Sequence, residues 1–410
     1  MAEGSRWAAA TVADGAPGVK ALQIDRSVPR FVAARMASGV RPGGAARLGP
    51  VRLADIDAPT LPGSAWQVVK PRLAGICGSD LATVDGRSSR WFEPIVSFPF
   101  VPGHEVVADA ADGRRVVLEP VLHCAVRGID PPCGPCSAGR TNHCERLVAG
   151  HLQPGLQTGF CADTGGGWSV SMIAHQLQLH DVPEDWSDEA AVLVEPVACA
   201  VHGALAPPTG PDLRAVVIGA GTIGLATVAA VNQLRPDVAS LIAVAKHPEQ
   251  RHWARQLGAT TVVEPDELRR AVRRSTGSWI LDSGQLTGGA DVVFDCVGTS
   301  GSVADALAVT APGGAVVLIG MAGHVDIDLT GLWQREVRLV GAYAYGPEPS
   351  RGGRHSFTLA MDLIDNAGLE RLVSATYPLD RYAEAIEHAA EAGRRGAAKV
   401  AFDLRHEKRR

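Results

Sequence analysis

Ala215-Val216-Val217-Ile218-Gly219-Ala220-Gly221-Thr222-Ile223-Gly224 is the stretch that decides the fold. Its first four residues are apolar and mostly β-branched, which reads as a short buried strand. The run from Thr222 to Leu234 reads as a helix. The glycines between them have separate tasks: Gly219 permits a tight turn, Gly221 lets backbone approach a pyrophosphate, and Gly224 lets helix pack on strand. Thr222 and Ile223 open the helix, whose unpaired N–H groups would face the phosphates. A glycine-rich turn without a ligand is the competing reading, and the strand before and helix after favour nucleotide binding.

Downstream, SLIAVA from Ser240, a helical stretch from Pro248 to Leu257, DVVFDCVG from Asp291, AVVLIG from Ala315 and VRLVG from Val337 continue the alternation. Such a pattern implies βαβ crossovers and a doubly wound parallel sheet over residues 207–345. Val297, Gly298 and Ile319, at the ends of two of these strands, are further cofactor-site candidates. The second strand ends Ala243-Val244-Ala245-Lys246-His247, without the carboxylate that would hold the ribose 2′-OH of NAD. Lys246, His247 and Arg251 offer positive charge for a 2′-phosphate instead, so NADP(H) is favoured over NAD(H). A solvated surface cation is the plainer reading of Lys246.

Upstream, residues 19–206 are rich in Pro and Gly, with short apolar runs such as Val68-Val69 and Val116 to Leu118, and read as a β-rich, loop-heavy domain. After Gly346 the text turns loop-like and then helical, so residues 346–410 are expected to return to that first domain. Two domains suit a chain of 410 residues with 46% hydrophobic and 20% charged residues. The net charge of -5 offers no basic stripe for nucleic acid, and the RHEKRR tail from Arg405 reads as a solvated terminus. Residues 1–18 carry Glu3, Arg6 and Asp14 and are expected to be a loose extension, not a secretory signal. Apolar segments such as Ala190 to Ala206 are interrupted by Glu195 and His202, so a cytoplasmic protein with no membrane partner is expected.

Cys124, Cys133, Cys136 and Cys144 follow C-x8-C-x2-C-x7-C. Four thiolates from one loop can close a tetrahedral zinc shell with no open position, the mark of a structural site. Disulfides compete as an explanation, but a reducing compartment argues against them. A redox CxxC would need a thioredoxin-like context, which is absent around Cys133. A second constellation is dispersed over Gly75-Ile76-Cys77-Gly78-Ser79-Asp80, Pro102-Gly103-His104-Glu105 and Val194-Glu195-Pro196. One thiolate, one imidazole and one carboxylate make a zinc site that keeps a position for substrate. Singly, Cys77 and His104 would be ordinary buried residues; together they read as ligands.

GICGSD, PGHE, the four-cysteine lobe, VEP and GAGTIG, in this order, resemble the zinc-dependent branch of the medium-chain dehydrogenase/reductase superfamily, the alcohol and polyol dehydrogenases. The resemblance covers most of the chain from Val19 to about Lys399. It implies a GroES-like catalytic domain, a Rossmann domain between its two parts, and a homodimer or homotetramer. It also makes Cys77 and His104 catalytic zinc ligands, with Glu105 and Glu195 as carboxylate ligands that exchange. Three departures stand out. The lobe has six extra residues between its first two cysteines, which leaves Asp130 as an alternative donor to Cys124. Ala82 stands where many members carry a proton-passing histidine. The acidic residue after the second nucleotide-site strand is missing.

The expected chemistry is hydride transfer between NAD(P)(H) and an alcohol/carbonyl pair on a small-molecule substrate such as a polyol, sugar or polar natural-product intermediate. Ser79 would carry the hydroxyl proton outward, and Asp80 would hold the second nitrogen of His104. Cys161, Cys199 and Cys296 read as buried structural thiols. Ser88 to Phe92 and Gln157 to Trp168, with its Gly165-Gly166-Gly167 run, are candidates for lining the pocket. A biosynthetic reductase of an imine or conjugated double bond, a zinc-free reductase, and a non-catalytic nucleotide-binding protein are the alternatives on the same fold.

Overall fold

The computed structural model describes residues 18–407, so the expected extension through residue 17 and the last three residues of the basic tail lie outside the described residues. The chain opens with β1 (Val19–Ile24), α1 (Val28–Val40), β2 (Val51–Ile56), β3 (Trp66–Gly75) and α2 (Gly78–Val84). Then come β4 (Val106–Asp109), β5 (Arg115–Leu118), α3 (Gly134–Ser137), β6 (Met172–His175), β7 (Leu179–Asp181), α4 (Asp188–Ala191) and α5 (Val194–Leu205). β3, β4, β5 and β7 pair antiparallel in succession, and β6 pairs with the start of β3. The apolar runs at Val68-Val69 and Val116 to Leu118 fall in β3 and β5.

The middle of the chain alternates: β8 (Leu213–Ile218), α6 (Thr222–Leu234), β9 (Val238–Val244), α7 (Pro248–Gln256), β10 (Thr261–Val263), α8 (Leu268–Thr276), β11 (Ala290–Asp295), α9 (Ser300–Val309), β12 (Thr310–Leu318), α10 (Thr330–Gln334) and β13 (Arg338–Gly341). All six strands are parallel, in the order β10-β9-β8-β11-β12-β13. Val216, Val217, Val293 and Val317 are fully buried because helices cover both faces of the sheet. Strand order reverses between β8 and β11, which opens a crevice beyond the carboxyl ends of those two strands. β10, α8 and α9 escape a reading of the sequence. β10 is three residues long, and the four arginines of α8 hide its buried Leu268, Ala271 and Val272.

β14 (Pro347–Glu348), β15 (Arg354–His355), α11 (Ser356–Ala367), β16 (Val373–Tyr377), α12 (Tyr382–Ala390) and β17 (Lys399–Asp403) finish the chain. β17 runs antiparallel to β3, so the first sheet reads β16-β17-β3-β4-β5-β7 and is completed by the last strand of the chain. Phe402 of β17 is buried against Trp168, with ring centroids 5.1 Å apart. The architecture is α/β: a β-rich lobe made from both ends of the chain and a doubly wound parallel sheet between them. Among the described residues, no helix is long and apolar enough to cross a membrane.

Candidate metal centres and nucleotide site

Cys124, Cys133, Cys136 and Cys144 place their sulfurs within 4.8 Å of one another, the one such group of three or more donors among the described residues. Cys124 Sγ and Cys144 Sγ are 3.7 Å apart, far longer than a disulfide of about 2.05 Å. The backbone N–H groups of Cys133, Glu145 and Arg146 donate to Cys124, Cys133 and Cys144 at 3.4, 3.5 and 3.5 Å. Burial raises the Cys133 thiol, but the N–H groups of Glu145 and Cys136, with the Cys136 and Cys124 side chains, outweigh it and bring the thiol down to about 7. Four such sulfurs suit a closed tetrahedral zinc shell. The long spacer does not displace Cys124, because it doubles back: Ile129 N–H donates to the Cys124 carbonyl at 2.9 Å. Asp130 is outside the group.

Within that spacer lies Arg127, fully buried and, among the described residues, paired with no carboxylate. Its guanidinium donates to the carbonyls of Leu122, Ala149, Leu152, Gln153 and Gly155, at 2.6 to 3.3 Å. It therefore ties the lobe to the loop that follows. Nothing in the sequence pattern announced it, since arginines on loops are usually solvated.

Of the dispersed constellation, Cys77, Asp80 and His104 come together, whereas the donor atoms of Cys77, His104 and Glu195 do not all lie within 4.8 Å of one another. Cys77 caps α2, and its N–H donates to Asp80 Oδ2 at 3.1 Å, while Asp80 Oδ1 stands 3.5 Å from His104 Nδ1. Burial disfavours a charged imidazole at His104, but Asp80 and then Cys77 outweigh it and raise its pKa well above the ordinary value. The His104 turn is held from below by the glycine run. Trp168 N–H donates to the Pro102 carbonyl at 2.9 Å, Gly167 N–H to the Gly103 carbonyl at 2.8 Å, and a Cβ on Gly166 would lie 2.1 Å from the Val101 carbonyl oxygen. Gly165-Gly166-Gly167 and Trp168 are buried, so this part of the segment supports the turn and does not line a pocket.

Glu105 has a cation beside it. Its carboxylate is paired with the ammonium of Lys399, and both side chains are buried. Gly75 makes the room, since a Cβ there would lie 2.0 Å from Glu105 Oε2. Glu195, in the first turn of α5, is the second carboxylate near His104. Glu195 has no ion-pair partner among the described residues, and the Cys199 thiol donates to its Oε1 at 3.7 Å. Burial above all pushes its pKa up to about 7; His104 opposes this and Glu105 adds to it. The Tyr345 hydroxyl is buried beside it and favours its charged form. A thiol, an imidazole whose far nitrogen faces Asp80, and a buried carboxylate lacking a cation form a donor set that fits zinc. Cys199, Lys399 and Tyr345 were not singled out as site residues in the sequence, because only folding brings them to Glu195 and Glu105. Ser79 lies in the first turn of α2, half-buried, and its carbonyl accepts from Thr83 Oγ1 at 2.9 Å.

At the crevice, Gly219 has φ +93°, and a Cβ would strike Val297 Cγ2 at 2.4 Å. A Cβ on Gly224 would lie 1.9 Å from the Gly219 carbonyl oxygen, whereas one on Gly221 would meet nothing within 4 Å. Gly221 thus leaves open space in front of the α6 N-terminus, next to Ile223. Thr222 Oγ1 donates to the Ala398 carbonyl at 2.8 Å. Val297 and Gly298 donate their N–H groups to Asp295 Oδ1 at 2.9 and 3.1 Å, and Ile319 N–H bonds the Asp295 carbonyl at 3.0 Å. These residues rim the carboxyl ends of β11 and β12. Lys246 is exposed and His247 caps α7. Arg251 is turned inward, bonded to the Ala245 and Lys246 carbonyls at 3.3 and 3.0 Å and paired with Glu264 at 3.1 Å.

Known proteins share these features. Residues 63–184 match the alcohol dehydrogenase GroES-like domain, and residues 222–366 match the zinc-binding dehydrogenase family. A sorbitol dehydrogenase of Arabidopsis thaliana is 28% identical over 351 residues, covering 82% of this chain and 88% of the relative. An L-idonate 5-dehydrogenase of Vitis vinifera is 27% identical over 350 residues, covering 82% and 87%. Among solved structures, a zinc-binding dehydrogenase of Sinorhizobium meliloti bound to NADP superposes with a TM-score of 0.69 at 23% identity, covering 94% of this chain and 99% of that one. The chain belongs to the zinc-dependent medium-chain dehydrogenase/reductase superfamily and is a zinc-containing, NAD(P)-dependent alcohol dehydrogenase/reductase.

Proposed function

We propose that the protein interconverts a secondary alcohol of a small polyol or sugar and its ketone, with NADP(H) as hydride carrier. One observation carries the reading: Asp80 joins Cys77 to His104, receiving the Cys77 N–H and facing His104 Nδ1, while the buried Glu195 is near enough for the His104 charge to act on it. The sorbitol and idonate dehydrogenase relatives support the polyol class. Zinc, when bound, supplies Lewis acidity to the substrate oxygen, and the nicotinamide accepts or returns the hydride. The reaction breaks one C–H and one O–H bond, so a proton must leave as well as a hydride. Ser79 takes that proton from the substrate hydroxyl and passes it toward solvent, and Asp80 fixes the tautomer of His104. Ala82 ends the relay at water.

In this reading the catalytic lobe comprises residues 19–206 and 346–410, and the nucleotide domain residues 207–345. Cys77, His104 and Glu195 hold the catalytic zinc, and the four cysteines hold a structural one. β13 is the free edge of the parallel sheet, with Leu339 exposed on it and Tyr343 just beyond, and pairing of two such edges would form a homodimer. Eight free thiols suit the reducing cytoplasm. The test is metal content of protein purified without added zinc, together with a polyol screen. Two zinc ions per chain and NADP-dependent polyol oxidation support the reading; one zinc and no turnover overturn it.

A further inference from the structure

The segment from Ala392 to Lys399 runs along the whole nucleotide site. Gly393 lies on the His247 ring, where a Cβ would stand 2.5 Å from Cδ2 and 2.8 Å from Gln250 Nε2. Ala398 accepts the Thr222 hydroxyl at the phosphate end, at 2.8 Å. Lys399 then enters β17 with its ammonium on Glu105 and, at 3.3 Å, on the Ile76 carbonyl. One short piece of the β-rich lobe thus touches the ribose end, the phosphate end and the metal end.

Its charge is uneven in a telling way. Arg395 is neutralised by Glu391 at 2.8 Å and Arg251 by Glu264 at 3.1 Å. Arg394 and Lys246 are exposed, and neither has an ion pair among the described residues. Both lie close enough to His247 to act on it: its pKa is lowered first by burial, then by Lys246, Arg394 and Arg251. Arg394 and Lys246, neither of them ion-paired, add positive charge beside His247 beyond what Glu264 and Glu391 offset, and a dianion between them relieves their repulsion. Gly393 has to be small for the segment to come this near, so the approach is built into the backbone.

We propose that Arg394 reads the 2′-phosphate of NADP(H) from the opposite lobe, closing over an anion that Lys246 and His247 meet from the nucleotide domain. Selectivity against NAD(H) is then shared between the two lobes, and cofactor binding draws them together. This rests on the NADP(H) reading above and adds to it a residue remote in sequence from the dinucleotide fingerprint.

The test is fluorescence titration of the full-length protein with NADPH, NADH and adenosine 2′,5′-bisphosphate, on wild type, Arg394→Ala, Arg394→Lys and Lys246→Ala. Loss of one charged contact to the phosphate is expected to weaken NADPH and the bisphosphate about tenfold. NADH binding should change less than about twofold, and Arg394→Lys should recover much of the loss. Unchanged NADPH affinity in Arg394→Ala overturns the proposal. So does equal weakening of NADPH and NADH, which would make the residue a strap and not a reader. A wild-type protein that binds NADH as tightly as NADPH overturns the cofactor reading itself, and the inference with it. That failure shows before any variant is made, so the two are distinguishable.

Discussion

Glu105 and Glu195 look equivalent as residues, and their surroundings separate them. Glu105 has a buried ammonium against it; Glu195 has a thiol and two tyrosines nearby. Replacing Glu105 by Gln therefore strands Lys399 in the interior, and removal of one partner of a buried pair costs about 3–5 kcal/mol. The expected outcome is a lowered melting temperature with zinc content per chain unchanged; loss of one zinc instead would restore Glu105 as a ligand. Asp80→Asn should do the opposite, leaving the fold intact while weakening metal affinity or turnover by about 10–100-fold. Dialysis against a graded chelator series, read by zinc release, checks this. Cys77 and His104 were readable because their motifs are local. Lys399 was not, since its meaning comes from a partner 294 positions away.

At the scale of elements, the cysteine lobe depends on two fasteners of different kinds. The sulfurs gather the chain from Cys124 to Cys144, and Arg127 gathers five carbonyls from Leu122 to Gly155. Arg127→Met would fill similar space yet leave buried carbonyls unpaired, at roughly 1–3 kcal/mol for each group that finds no water. Limited proteolysis should then cut within residues 120–160, with zinc still bound at early times. Equal protease resistance in variant and wild type would mean that the sulfurs alone hold the lobe. The spacing of the cysteines was plain in the sequence, whereas the path of the spacer was not, because a turn that folds back is set by carbonyl acceptors contributed by a later loop. The same applies to Gly165-Gly166-Gly167, whose composition suggests an open loop and whose packing beneath Val101 and Pro102 makes it a support.

For the whole molecule, acid sensitivity follows from imidazoles buried in neutral form. His123, His175 and His355 are held below the ordinary histidine value, by burial first in each case. His151 and His175 both pack edge-on to Trp66, with ring centroids 6.1 and 5.6 Å from it. The unfolded chain takes up protons near pH 6.5, while the folded one resists until lower pH. Their contribution is complete above about pH 6.5 and is lost as the pH falls toward the lowered folded values. Melting temperature of the zinc-loaded protein, in which His104 and Glu195 are not free to take up protons, should stay level from pH 8 and then decline below about 6.5; a rise on acidification would contradict the assignment.

The sequence by itself determined what depends on neighbours along the chain. AVVIGAGTIG specified strand, turn and helix because the glycines act within ten residues, and the alternation around it specified a parallel sheet. The cysteine spacing around CGPC marked the four sulfurs that the fold gathers, and GICGSD, PGHE and VEP marked candidate donors through their side chains alone. Tertiary structure decided which charged groups meet, since that depends on distant segments: Lys399 pairs with Glu105, and Glu264 with Arg251. It also decided where Arg394 and Tyr345 stand, as parts of stretches that mean nothing until β17 pairs with β3 and carries the end of the chain back across the nucleotide site.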